Sequence, residues 1–523
     1  VAIFPGMVGP SALNRPLILD RFVVTAEQMR AIESRVFAAG MPVPALMEKA
    51  AGLVAQRIIA LYPATSTTFG VLVGPGHNGG DALVVARELH VQGYSIQIYC
   101  PFERLKELTD AHARYARSLT IPFASSLEAL ATCDVLIDGL FGFGLERSLT
   151  DPIATAIATL NTWQKPLLSI DLPSGIHTDT GEVLGIAIRA THTFCLGLWK
   201  RAFMQDAALE YIGTVERVDF GLPVADVQAV VGEPEVERMT NEGAIALLPL
   251  PRPADTHKYK QGNLLLIAGS RTYPGAAILT ALAARASGVG MLTMAVPQSL
   301  APLLVAQVPD ALVVGLPETD GAIAHLPADL DLSRYSTIAC GPGLTPHPTA
   351  VIEALLASDR PLVLDADGLN ILAARQGWEV RSRSAPTILT PHLGEFRRLF
   401  PQAEGVDRIA LAQAAARSSG AIVLLKGARV AIAHPESGKV WVNPESTPAL
   451  ARGGSGDVLT GLLSGLLAQA TLMKMPPEGA VQAATWWHSQ AARWAAQRRT
   501  ELGVDAVTLA HSLIPALQWN LSP

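Results

Sequence analysis

Residues 69–90 read FGVLVGPGHNGGDALVVARELH. Phe69–Val73 is a short apolar run, the pattern of a buried strand, and Ala82–His90 is a helical segment just beyond it. The turn between them, Val73-Gly74-Pro75-Gly76-His77-Asn78-Gly79-Gly80-Asp81, holds Gly74, Gly76 and Gly79 at the GxGxxG spacing. Backbone amides at such a turn, with the positive end of the helix behind them, favour a phosphate. A tight strand-to-helix turn with no ligand is the competing reading, because short motifs also arise by chance. Both readings need a strand that feeds a helix, which is half of a βαβ unit.

Working outward, Thr25–Leu61 reads as two helices with apolar spacing of three and four, while Ile96–Tyr99, Val135–Asp138 and Leu167–Asp171 repeat the short apolar run. This alternation predicts a mostly parallel sheet whose functional loops follow the strands directly. From Gly221 to about His257 the pattern lapses into a stretch rich in Pro, Glu and Val that ends in Pro249, Pro251 and Pro253, the expected linker. Alternation resumes with Asn263–Ala268, Met291–Val296, Thr337–Cys340, Leu362–Asp365, Thr387–Thr390 and Ile422–Lys426. The fold class expected is therefore α/β, with one domain over residues 1–230, a second over 231–523, and no internal repeat. The length of 523 residues agrees, since one domain usually takes roughly 100–200.

Composition narrows the function. Apolar residues make up 49% of the chain and charged residues 16%, so large cores and a surface sparing in charge are expected. Net charge is −6 with Lys and Arg scattered, which lacks the footprint of a nucleic-acid binder. Cys100, Cys133, Cys195 and Cys340 form no CxxC pair, so neither a zinc site nor a disulfide framework is indicated, and a reduced cytoplasmic setting follows. Val1–Asp20 shows no basic and apolar leader pattern, and no uninterrupted apolar run of about 18 residues occurs, so neither export nor a membrane span is expected.

Two further strand ends join the glycine turn. Asp138-Gly139-Leu140-Phe141-Gly142-Phe143-Gly144 closes one strand and Asp171-Leu172-Pro173-Ser174-Gly175 another. Their Asn, Asp and Ser oxygens suit a cation of low charge density as well as a ribose or an amide. For Asp138 alone, helix capping and ligation stand side by side. HNGGDALVVARELH, DGLFGFGL and DLPSG resemble the NAD(P)H-hydrate epimerases over about Thr25–Gly221. The resemblance implies a Rossmann-like domain with potassium held by Asn78, Asp138 and Ser174. It implies hydrate contacts from His77, Asn78, Gly79, Gly80 and Asp81, from Gly142, Phe143, Gly144, Leu145, Glu146, Arg147 and Ser148, and from Asp171. His77 departs from the family's usual Asn, so altered affinity is expected there. The family reaction inverts C6 of the hydrated dihydronicotinamide ring by loss and re-addition of water, for which Asp171 is the first acid/base candidate. Lys200 is a second candidate, with a surface lysine as its more natural reading.

The second half carries Ala451-Arg452-Gly453-Gly454-Ser455-Gly456-Asp457-Val458 ahead of a long apolar helical run. Successive glycines let backbone amides point at one place, and the helix end behind them stabilises charge on a transferring phosphoryl group. Asp457 is then poised to take a hydroxyl proton, unless it serves only as a first-turn partner of the helix dipole. HKYKQG (257–262), YPGAA (273–277), GPGL (341–344), DADGLN (365–370), TPHLGE (390–395) and LKGAR (425–429) accompany it. Together these are similar to the ADP-dependent NAD(P)H-hydrate dehydratases, ribokinase-like in fold, from about Met239 onward. The likeness implies nucleotide contacts from Lys426, Gly427, Ala428, Arg429, Val430 and Gly456, and hydrate contacts from Ala276, Gly343, His392 and Asp457. Tyr259 and Ser455 stand where Gly and Thr are common. Phosphorylation of the C6 hydroxyl by ADP, then loss of phosphate, would restore NAD(P)H from the S form and release AMP and phosphate. Asp365, Asp367 and Glu395 are open between holding substrate or magnesium and shaping loops, and His392 between ligand and loop.

The expected function is thus metabolite repair by a bifunctional isomerase and lyase acting on hydrates of NADH or NADPH, with ADP as co-substrate and potassium and magnesium as cofactors. Further copies of the chain, in a homo-oligomer of unstated order, are the only macromolecular partner expected. A ribokinase-like small-molecule kinase fused to a non-catalytic nucleotide-binding or docking domain is the alternative. A dehydrogenase using Glu103 at the ribose would leave Asn78 and Asp81 idle.

Overall fold

The computed structural model describes residues 15–375, 380–381, 383–403, 405 and 407–521. Residues 1–14 of the stretch expected to hold no leader lie outside these. The chain divides into two compact units, one ending at Pro234 and the other beginning at Glu235.

The first unit is built on seven strands in the order Phe123–Ala124, Ser95–Tyr99, Thr68–Val73, Val135–Gly139, Leu167–Ile170, His192–Leu196 and Thr214–Val218. All are parallel. The strand order reverses direction at Thr68–Val73, so a crevice opens at the carboxyl ends of that strand and of Val135–Gly139. The period-two alternation of each strand explains the burial. Val71, Val73, Val135, Ile137, Leu168 and Ile170 join the core under helices Ala26–Ala38, Val43–Leu61 and His77–Val91. Leu72, Leu136 and Leu167 join a separate core under helix Ile153–Thr162. Thr25 starts the first long helix with a reciprocal cap, accepting from the Gln28 amide at 3.1 Å while its own amide donates to Gln28 Oε1 at 3.0 Å.

The second unit holds ten strands in the order Val236–Arg238, Val440–Asn443, Val430–Ala433, Ile422–Leu425, Thr387–Leu389, Leu362–Leu364, Thr337–Cys340, Asn263–Ile267, Met291–Pro297 and Leu312–Leu316. Only the pairings of Val430–Ala433 with its two neighbours are antiparallel. Helix Ser455–Met473 packs against Pro274–Ala286 and Pro477–Arg499. It is long and apolar enough to cross a membrane by length and composition, but 72% of it is buried inside the unit, where it forms part of the core.

The expected linker is corrected by the structure. Between Gly221 and His257 lie helix Val224–Val231, strand Val236–Arg238 and helix Asn241–Ala246, the last capped by Thr240. Val236–Arg238 is a three-residue strand whose partner is Val440–Asn443, far along the chain. Neither its length nor its composition gives a local periodicity to read.

Candidate active sites

The first site grows from the carboxyl ends of three strands. Helix His77–Val91 begins at Gly76 with no side-chain cap, which leaves its first amides available to an acceptor. Gly79 is required by packing, since a Cβ there would lie 1.9 Å from the Gly74 carbonyl oxygen. Gly80 likewise lies against Met47, with an added Cβ 2.8 Å from its sulfur. A cavity of about 560 Å³ opens over this helix start, lined by His77, Asn78, Asp81, Gly142, Phe143, Gly144, Leu145, Arg147, Asp171 and Lys200. Gly79, Gly80, Glu146 and Ser148, also expected at the substrate, do not line it. Glu146 instead pairs with Arg30 at 2.8 Å.

Asp171 leaves the Leu167–Ile170 strand with φ +70°, in the left-handed region that costs a non-glycine residue of order 1–3 kcal/mol. Its amide still donates to the Phe194 carbonyl at 2.8 Å, so the neighbouring strand holds this turn. Both carboxylate oxygens are engaged, Oδ1 by Lys200 Nζ at 2.5 Å and Oδ2 by the Phe143 amide at 3.0 Å. The surface-lysine reading of Lys200 is therefore overturned. Its side chain is 0% exposed, and Nζ also donates to the Leu196 carbonyl at 2.5 Å. Burial alone would push this ammonium down, yet the Asp171 carboxylate holds it above its ordinary value.

Asp138 is fully buried and accepts from Ser174 Oγ at 2.6 Å, Ser174 N and Ser169 Oγ at 2.9 Å, and Leu140 N at 3.2 Å. Burial pushes its carboxyl up against these four donors. Among the described residues no basic side chain pairs with it. Beside this carboxylate the Ser174 hydroxyl also meets the Phe141 carbonyl at 3.2 Å, and the amide end of Asn78 is buried with its nitrogen unpartnered. Amide, hydroxyl, carboxylate and carbonyl oxygens around an uncompensated negative charge fit a large monovalent cation. Among the described residues no cluster of three His, Cys, Asp or Glu exists that would hold a transition metal.

The second site forms where helix Ser455–Met473 begins at Gly454, again without a side-chain cap. Lys426, at the end of strand Ile422–Leu425, pairs with Asp365 Oδ1 at 2.7 Å, and Thr460 Oγ1 donates to Asp365 Oδ2 at 2.6 Å. A Cβ on Gly456 would lie 3.4 Å from Lys426 Nζ, so helix start and ammonium adjoin. Burial pushes Asp457 up to about 7, with Asp365 adding and Lys426 opposing. Asp367 is taken by the Thr345 amide at 2.9 Å and by Asn370 at 3.3 Å, a loop-shaping role. His392 and Glu395 form a reciprocal helix cap: His392 Nδ1 accepts from the Gly394 amide at 2.9 Å, and the His392 amide donates to Glu395 at 2.8 Å. The other ring nitrogen, Nε2, lies 3.5 Å from Glu395 Oε1, while the side chain as a whole is 56% exposed. Gly343 sits against Ala276, whose Cβ would be 2.9 Å from a Cβ at Gly343, so these two expected contacts share one wall. Lys426 also joins the LKGAR loop through its own carbonyl, which accepts from Arg408 at 2.8 Å, while the Arg429 guanidinium is turned to the Pro444 carbonyl.

Comparison with known proteins places both sites in context. The family described as NAD(P)H-hydrate dehydratase matches residues 264–515, and the one described as YjeF-related protein N-terminus matches 43–202. A protein of Synechocystis named bifunctional NAD(P)H-hydrate repair enzyme Nnr is 54% identical over 96% of each chain. This chain belongs to that family. A second member, from Thermosynechococcus vestitus, is 52% identical over 96% of this chain and 98% of its own. A crystallised ADP/ATP-dependent NAD(P)H-hydrate dehydratase from Bacillus subtilis is 33% identical, covering 54% of this chain and 97% of that one, with a TM-score of 0.46.

Three residues of this family member escape a reading of its motifs. Glu33 lines the first cavity from helix Ala26–Ala38. Thr460, one turn into the second-site helix, anchors Asp365. His488 is buried, faces the Ser455 carbonyl from Nε2 at 2.9 Å, and is pushed down to about 4 by burial, so it is neutral at physiological pH. The i, i+3 relation of Asp457 to Thr460 was the one available signal.

Proposed function

We propose that the first unit interconverts the R and S hydrates of NADH and NADPH, and that the second dehydrates the S form with ADP, yielding AMP and phosphate. The observation that carries this reading is a pair of separate buried Lys–Asp centres, Lys200–Asp171 and Lys426–Asp365, each beside an uncapped helix start. In the first, loss of water from C6 leaves a cation shared with the ring nitrogen. Asp171, anchored by Lys200 and the Phe143 amide, is the anion that faces it. Asn78, Asp138 and Ser174 would hold potassium, whose charge would compensate Asp138. His77, Arg147 and the amides of the helix start supply donors for the dinucleotide phosphates.

In the second, Lys426 and the amides from Ser455 onward receive the ADP phosphates, with Gly427 to Val430 along the nucleotide and Ala276, Gly343 and His392 around the hydrate. Asp457 takes the proton of the C6 hydroxyl as that oxygen attacks the terminal phosphorus. The phosphoester so formed loses phosphate as the ring nitrogen supplies the electron pair, and loss of the C5 proton from the resulting iminium restores the C5–C6 double bond of NAD(P)H. Asp365 and Asp367 are already engaged by protein donors, so magnesium would be carried mainly by the ADP phosphates, whose charge it would neutralise. The free thiols of all four cysteines agree with a cytoplasmic site of action, and assembly into a homo-oligomer is expected on sedimentation.

The test is to incubate the protein with mixed R and S hydrates, ADP, magnesium and potassium, and to follow the return of dihydronicotinamide absorbance. Complete recovery is expected. Recovery that stops when the S form is exhausted sinks the epimerase, and no recovery sinks the dehydratase.

A further inference from the structure

We propose that Glu33 is the proton carrier of the first site, its carboxylic acid protonating the C6 hydroxyl as water leaves and its carboxylate recovering the proton on re-addition. This inference rests on the epimerase reading of that unit. Helix Ala26–Ala38 turns Met29, Arg30, Glu33 and Phe37 to the cavity, the spacing of one helical face. Among the described residues the Glu33 carboxyl has no hydrogen-bond partner. Asp171 differs: both of its oxygens are already engaged, Oδ1 by the Lys200 ammonium and Oδ2 by the Phe143 amide, which leaves Glu33 as the carboxyl of this face without a hydrogen-bond partner among the described residues.

The charges facing Glu33 come from several elements. Asp81 belongs to helix His77–Val91, Asp171 follows strand Leu167–Ile170, Lys200 lies on the short strand Trp199–Lys200, and His77, Lys106 and Arg147 complete the wall. Arg30, on the same helix as Glu33, is paired with Glu146. Three carboxyl groups thus share the cavity with Lys200, and Asp171 already claims that ammonium. Among the described residues no salt bridge reaches Glu33 or Asp81. Burial pushes Glu33 up to about 7, opposed by Lys200 and assisted by Asp171. Burial raises the Asp81 carboxyl well above its ordinary value, with Asp171 and Glu33 adding to the shift.

The step balances as follows. Protonated Glu33 gives its proton to the C6 hydroxyl, the C6–O bond breaks with its electron pair on the departing water, and the ring nitrogen lone pair forms the C6–N double bond. Water then adds to the opposite face, the double-bond pair returns to nitrogen, and the proton released by the new hydroxyl returns through water to the Glu33 carboxylate.

Epimer exchange is measured by NMR on the full chain across neutral pH, for the parent, Glu33→Gln and Glu33→Asp. The parent is expected to lose exchange as pH rises through about 7, where Glu33 gives up its proton. Glu33→Gln should fall by about 10²–10⁴-fold and lose that limb with KM nearly unchanged. Glu33→Asp should recover part of the rate together with a pH limb. ADP-dependent dehydration of the S form should be unchanged in all three. Glu33→Gln within about tenfold of the parent, with the same limb, overturns the assignment. Should Glu33→Gln fail to fold, a parent without a limb near neutrality, or a Glu33→Asp profile identical to the parent's, overturns it equally. A parent that exchanges no epimers sinks the epimerase reading itself, an outcome distinct from either.

Discussion

Asp457 illustrates how far a single residue can be read. Its motif marks it as a base, and burial pushes it up to about 7. A raised carboxyl is ionised only above that pH. Dehydration by the base form should therefore be fully active above about 7 and fall as pH drops through it. Asp457→Asn keeps the size but cannot accept a proton, so dehydration should drop by about 10²–10⁴-fold while epimer exchange continues. Retention of the pH limb in that variant would remove Asp457 as its source. In the first site Asp171 and Asp138 should separate under a potassium titration. Asp138→Asn removes the charge beside the proposed cation and should be partly rescued by high potassium. Asp171→Asn leaves Lys200 buried without its anion, so exchange should stay slow at every potassium level, with stability reduced by roughly 3–5 kcal/mol. Rescue of Asp171→Asn by potassium would assign Asp171 to the cation instead. Asp171 and Asp457 were legible because glycines and turn residues flank them in a fixed order. Glu33 and His488 were not, and Lys200, named only as a second candidate, was read as a surface lysine, because nothing in their neighbours along the chain tells that they are buried.

At the scale of elements, the strands that carry the sites were visible as apolar runs, to within a residue at most ends. Some that escaped are short or partly polar: Phe123–Ala124 has two residues, and Thr214–Val218 alternates with Glu216 and Arg217 on an edge, whereas Leu312–Leu316 and Val430–Ala433 are apolar and escaped as well. The short and partly polar strands owe their existence to a neighbour rather than to their own pattern. The glycine turn shows the converse, a local motif with a packing cause. In Gly79→Ala the new Cβ would meet the Gly74 carbonyl, so helix His77–Val91 must move away from its strand. Overpacking of this kind typically costs about 1–3 kcal/mol. A lowered melting temperature and weaker hydrate binding are expected, and a variant with unchanged melting would show that the helix start has slack. In the second unit Thr460→Val keeps the shape but strips Asp365 of its 2.6 Å donor, leaving Lys426 as its remaining hydrogen-bond partner. ADP affinity should fall while the hydrate KM holds, as measured by calorimetry against steady-state kinetics.

At the scale of the molecule, each compact unit has its own sheet, core and buried Lys–Asp pair. Cleavage between Pro234 and Glu235 should therefore give two soluble halves, the first exchanging epimers and the second consuming the S form with ADP. An inert or insoluble second half would show that it needs the first to fold. The sequence by itself determined the two α/β units, the order of their main strands and the loops at which chemistry gathers, because periodicity and turn chemistry are local and survive in a linear reading. Only the tertiary structure decided which charges face each other. Lys200 and Asp171 are 29 residues apart, Lys426 and Asp365 are 61, and Thr460 and Asp365 are 95. Desolvation and ion pairing depend on what surrounds a side chain in space, and separations of that length leave no trace in the neighbours along the chain.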